Sequence, residues 1–330
     1  MLSRSKFLRR SAAALALALA LPGAVAAQET LKAITSFPVP MFWSQEFKGF
    51  IDLVNEKGKG VVQIQLIGGP EVIPPAQQLG AVQRGIVDIQ YGPSTHHLGT
   101  APEIDAFVGA TKDAEEIRGN GGLALMQKIF EEKLGVRLVA LTQSGLQFHI
   151  WSVDEPKIGA DGLPDLGGMR LRSQPIYTAF FESVGAVPVS VPVPDVYTGL
   201  ERKTFDGIGW PVAGVMDLSW DKYLKYRIDP GFFNTDLTII MNPETWAGLS
   251  DQAKAVITEA AAEHEIATRD HLAQITAETD AAVQKKGIKV ITLEGEAAKT
   301  YLDRAYGSAW GRLKASGSPY YDELRAKFFE

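Results

Sequence analysis

The stretch from Leu166 to Pro211, LGGMRLRSQPIYTAFFESVGAVPVSVPVPDVYTGLERKTFDGIGWP, carries the residues best suited to recognition chemistry. Arg172 offers a rigid fork of N–H donors that matches a carboxylate, where a lysine would act as a point charge. Trp210 offers a flat apolar wall. Outside this stretch, Phe42 and Trp43 stand in a proline-containing loop, either lining a cleft or packing under the next helix. Ser94 lies in the turn after a predicted strand, beside His96 and His97. Adjacent histidines point in different directions and make a poor metal pair, so exposure or a local hydrogen bond is expected for them. Phe232 is a pocket candidate that could equally be core. Asp236 is a lone carboxylate able to cap, to accept from a ligand hydroxyl, or to give one oxygen to a metal.

Catalytic patterns are sparse. His264 and Glu265 open like a zinc-protease helix, but the next histidine is His271, so the paired ligand on that face is missing. There is no G-x-S-x-G elbow, and with no cysteine there is no thiol nucleophile. The reading is of a binder, not an enzyme, with no cofactor and no metal; an exported hydrolase is the alternative class.

These residues need elements to hold them. Arg170 and Arg172 share one side of a short strand that Pro175 ends, with Leu171 facing the other way. A helix over 176–185 follows, then the β-branched run 187–193, a helix over 196–203 capped by Asp195, and a strand into Trp210. This βαβαβ order predicts one lobe of an α/β protein, with ligands gathering where strand ends and helix starts meet. Upstream, strands are predicted at 31–36, 61–67 and 86–91, with helices at 46–57 and 77–85 between them. Setting Asp88 on Asp206 also superposes Val82 on Leu200 and Arg84 on Arg202, a short pseudo-repeat that gives each lobe the same helix, strand and edge turn. Residues 145–152 alternate and are read as crossing between lobes, 237–241 as returning. Ser250 can cap a helix over 251–286, and two more helices close the chain at 296–313 and 320–329.

At 330 residues with 45% hydrophobic and 22% charged positions, the chain can bury the cores of two lobes. Met1 to Ala27 has a basic start, an apolar run from Ala12 to Leu21 and small residues before Gln28, the pattern of a cleaved secretory signal. That run is too short to span a bilayer. Removing the leader's four basic residues leaves 29 basic against 39 acidic, a net charge of −10. Nucleic acid is therefore not an expected partner, and an anionic ligand must be caught by a local positive site.

The series G-x-R-L-R-x-x-P, G-A-x-P, V-Y-x-G-L, D-G and Pro211 resembles the solute-binding proteins of TRAP transporters, over essentially the whole mature chain. The resemblance implies a periplasmic α/β protein of the type II-like, two-lobed binding class. Its hinge strands and a long helix span both lobes, and it closes on an organic acid and delivers it to transporter membrane subunits. It implies a monomer, with 28–150 plus about 238–275 as the first lobe and 151–237 plus about 276–330 as the second. In many relatives a second carboxylate-binding arginine stands where this chain has Gln147. One neutral side chain there implies a ligand with one carboxylate, a hydroxy, oxo or aromatic acid, met by Arg172 and Gln147. A dicarboxylate would need His149 or another cation, and a sugar acid is disfavoured because sialic-acid binders have asparagine at the position of Trp210. Relatives that hold oxo acids through a metal have an acidic residue before that tryptophan; here it is Gly209.

Overall fold

The computed structural model describes residues 28–329, so the expected leader at 1–27 lies outside the described part, as does the side chain of Asp236. In chain order the first half comprises β1 (Glu29–Thr35), α1 (Phe42–Lys57), β2 (Val62–Gly68), α2 (Pro75–Gln83), β3 (Ile89–Gly92) and the short helices α3 (Asp105–Val108), α4 (Ala114–Gly119) and α5 (Gly122–Ile129). β4 (Arg137–Ser152) then leaves it, followed by the small hairpin β5 (Lys157–Ile158) and β6 (Pro164–Asp165). Next come β7 (Arg170–Ser173), α6 (Pro175–Ser183), β8 (Val187–Ser190), α7 (Val196–Glu201), β9 (Gly207–Pro211) and β10 (Tyr226–Met241). The chain ends with α8 (Pro243–Gly248), α9 (Asp251–Lys285), β11 (Lys289–Thr292), α10 (Gly295–Ala315) and α11 (Tyr321–Phe328).

Two 16-residue strands, β4 and β10, tie two half-sheets together. The end of β10 pairs with β3 and the start of β4 with the end of β10, giving β2-β1-β3-β10-β4. The other ends of the same two strands meet β9 and β11, giving β11-β10-β4-β9-β7-β8. The crossing segment read at 145–152 is the second part of a longer continuous strand, β4, which contains an irregularity. The irregularity lies at Gln143 and Gly145, with φ of 54° and 90°. Pairing along β10 carries the strand through, with register shifts between Ile228 and Leu237. The two-lobed α/β class is thus realised, with β4 and β10 as the crossing strands.

The pseudo-repeat is physical. The Asp88 carboxylate accepts the Lys32 N–H at 2.7 Å, and the Lys32 carbonyl accepts the Asp88 N–H in return. Asp206 makes the same pair of bonds with Arg170, at 2.8 Å from its N–H. Each aspartate therefore locks the start of one parallel strand to its neighbour, which puts the ends of both strand pairs at the same level.

α9 braces both halves over about 52 Å, at 1.5 Å per residue. Ser250 caps it, accepting the Ala253 N–H. Glu265 accepts the Leu141 N–H at 2.7 Å, and Thr268 Oγ1 accepts that of Gln143 at 3.1 Å. Lys57 pairs with Glu259 and Glu263 in the first half, while Arg227 reaches Asp280 from the second. The chain end, expected with the second lobe, packs its last part on the first. Trp310, Leu313, Leu324 and Phe328 share a core with Phe107, Met126 and Phe130. Their apolar spacing specified a buried face without specifying which half would cover it.

Two helix N-termini differ from expectation, one in its start and one in its cap. α1 begins at Phe42, ahead of the expected Glu46, because Asp217 accepts the Phe42 N–H at 2.8 Å from 175 residues away. A distant carboxylate does what a local cap would do. Asp195 makes no side-chain cap for α7; it closes a tight 3₁₀ turn in helical geometry instead.

Candidate functional site

The strand ends of both halves converge on a cavity of about 440 Å³. Ser36 and Phe37 follow β1, and Pro93, Thr95 and His96 follow β3. Across from them stand Ser173 to Tyr177, at the β7–α6 junction, and Ser190 to Pro194 after β8. Trp210 and Pro211 end β9, while Leu146, Phe148 and Leu237 come from the crossing strands. Thus both halves and the strands that join them line one space. Pro93 and Pro211 occupy matching places in the Asp88 and Asp206 alignment, which is the signal by which both edges were legible.

Arg172 does not itself line this cavity; it is fully buried behind two residues that do, Val191 and Trp210. Its Nε donates to the Val191 carbonyl at 2.9 Å, and its guanidinium carbon sits 5.5 Å from the centre of the Trp210 ring. Both terminal nitrogens are buried without a partner. Burial pushes the guanidinium down to about 10, so it stays charged at neutral pH but at a cost. β7 explains the placement: Arg170, on the same side, emerges at the strand's start to pair with Asp206, whereas Arg172 lies two residues deeper, between β8 and β9.

Trp210 is 4% exposed and lies edge-on to Trp220 at 4.9 Å, and its carbonyl accepts from Trp151 Nε1. Trp43 also lines the cavity, and the indole nitrogens of both tryptophans lack partners. Ser94 is buried with an unpartnered hydroxyl, adjacent in sequence to lining residues Pro93 and Thr95.

Other expected residues are elsewhere. Gln147 is exposed, because alternation along β4 gives the cavity to Leu146 and Phe148 on either side of it. His149 shares the Gln147 parity; its Nδ1 lies 2.8 Å from Asp229, so it supplies no second charge to the cavity. Phe42 is only partly buried, its ring against Trp43 and His271. Phe232 is core, enclosed by Phe148, Tyr177, Phe180 and Phe233. His264 is buried beside Phe50, and His271 pairs with Glu46 at 2.8 Å, so the two share no site. Among the described residues, no group of three His, Asp or Glu side chains could hold a metal ion.

Sequence reasoning assigned His96 to exposure or local bonding and missed Tyr177. His96 lines the cavity, and burial, reinforced by the Arg172 charge, lowers it to about 4, which keeps it neutral. Tyr177 is buried, which raises its phenol well above the ordinary value. The helical pattern over 176–185 did not single it out, and only the fold brings it to the cavity.

The family model for bacterial extracellular solute-binding protein, family 7, matches residues 38–306. The chain belongs to this family. The expected resemblance to TRAP solute-binding proteins is borne out. The chain is 23% identical over 253 residues to the 2,3-diketo-L-gulonate-binding periplasmic protein of Escherichia coli, covering 74% of this chain and 75% of that one. It is 24% identical over 225 residues to the C4-dicarboxylate-binding periplasmic protein of Rhodobacter capsulatus, covering 65% of each. The fold matches DctP7 of Bordetella pertussis, an extracytoplasmic solute receptor binding pyroglutamic acid. That match has a TM-score of 0.80 and 18% identity, over 91% of this chain and 99% of that one. It also matches a TRAP solute-binding protein of Bordetella bronchiseptica with calcium and picolinate, with a TM-score of 0.78 and 21% identity over 91% and 90%. The family is one of periplasmic receptors, and no helix among the described residues is long and apolar enough to cross a membrane.

Proposed function

We propose that this receptor captures one small organic acid through a single carboxylate held by Arg172, closes over it, and presents it as a monomer to the membrane subunits of a TRAP transporter. The observation that carries the reading is the pair of buried, unpartnered Arg172 nitrogens, set behind Val191 and Trp210 in the wall of a cavity that both halves line. A buried guanidinium without acceptors is costly, and a bidentate carboxylate removes that cost. Trp210 and Trp43 form apolar walls in this reading, with Ser94 nearby. The lobes divide within 142–150 of β4 and 228–237 of β10, where the ladder changes register. A ligand favours the closed state only by binding it better than the open one, which a cavity lined from both sides provides.

The test is a thermal-shift screen of the mature chain against organic acids, sugars and amino acids, repeated with Arg172→Gln. Acids that raise the wild-type melting temperature should bind the variant roughly 30- to several-thousand-fold more weakly. Unchanged affinity in the variant, or stabilisation by neutral sugars alone, would overturn the assignment.

A further inference from the structure

The volume, charge and lining of the cavity narrow the acid further, on the reading just given. A space of about 440 Å³ lies within the range of pockets that hold small organic ligands. An acid of three carbons would leave most of that space to water held against apolar walls, forfeiting the burial that drives binding. Those walls contain the rings of Phe37, Trp43, Phe148, Tyr177 and Trp210. Seven further lining residues are proline, which present rigid apolar rings, donate no backbone N–H and lose no side-chain freedom when a ligand covers them. Such surfaces suit a flat ring system, stacked or edge-on.

Charge sets the second limit. Among the described residues no Asp, Glu, Lys or Arg lines the cavity, and Arg172 is the cation set directly behind its wall. A second carboxylate would be buried without a counter-ion, and so would an ammonium group, both strongly unfavourable. Burial and the Arg172 charge hold His96 neutral in the unliganded cavity, so it brings no charge of its own to the wall. We infer that the cavity selects an aromatic monocarboxylate that carries no second charge of either sign.

Titration calorimetry of the mature wild-type chain with cinnamate, indoleacetate, phenylalanine, phthalate and pyruvate tests this directly. Phenylalanine adds an ammonium to an aryl acid, phthalate adds a carboxylate, and pyruvate removes the ring. At least one of the two aryl acids should bind about tenfold or more tightly than each of the other three. Phenylalanine, phthalate or pyruvate matching the better aryl acid would overturn the inference while leaving an acid receptor standing. Silence from both aryl acids, with an Arg172-dependent hit elsewhere in the wider acid screen, would overturn it in the same way. Silence from every acid would remove the proposed function as well.

Discussion

Arg172→Met should stabilise the unliganded protein while destroying its response to ligand. Burial lowers the guanidinium from 12.5 to about 10, a penalty of about 3 kcal/mol for keeping it charged in place. Methionine fills similar volume without that penalty, as when buried charges are replaced by apolar side chains. Against this stands one bond: the Val191 carbonyl loses its donor, which costs about 1–2 kcal/mol. The difference leaves the variant about 1–2 kcal/mol more stable, or about 2–4 °C higher in melting temperature for a chain of this size. Scanning calorimetry of both proteins, with and without an acid that binds the wild type, reads both effects. The variant should start higher and should not rise further with ligand. A variant that melts several degrees lower yet keeps wild-type affinity would refute the argument, because Arg172 would then be a structural residue satisfied within the protein.

Gln147→Ala should leave ligand affinity within about twofold of wild type by calorimetry, since the side chain is exposed on the face of β4 away from the cavity. Acid should unfold the protein through its histidines: burial lowers His96, His97 and His264 from 6.5 to about 4. The unfolded chain therefore binds more protons between pH 6.5 and 4, and stability falls as pH drops through that window, by up to about 1.4 kcal/mol per pH unit for each histidine. Urea midpoints taken across the window should show this slope, and His264→Leu should remove one histidine's share; an unchanged slope would mean that His264 is not held neutral. Asp88→Ala and Asp206→Ala should each cost about 1–2 kcal/mol in urea unfolding, because each deletes an acceptor for a strand N–H. The partly exposed Arg170 pair adds little to the second, so costs differing by several kcal/mol would argue against equivalent roles.

Several features were fixed by local chemistry and are visible in the chain alone. The βαβ grammar around Leu171 and Val189, the Ser250 cap and the long α9 depend on period, caps and hydrogen bonds to near neighbours. Arg172 was legible for another reason: its fork of donors matches a carboxylate, and the βαβαβ order put it where strand ends and helix starts meet. What tertiary structure decided was facing. Period-2 alternation says that Leu146 and Phe148 oppose Gln147 but not which set meets the cavity; the pairing of β4 with both β9 and β10 settles that. Phe232 and Tyr177 are both buried aromatics, and their contacts put one in the core and the other at the wall. Likewise Asp217 supports α1 from 175 residues away, a bond that no local window contains. Sequence periodicity is a statement about neighbours on one element, whereas a binding cavity is made where separate elements end, so Arg172 and two tryptophans could be named in advance and most of the lining could not.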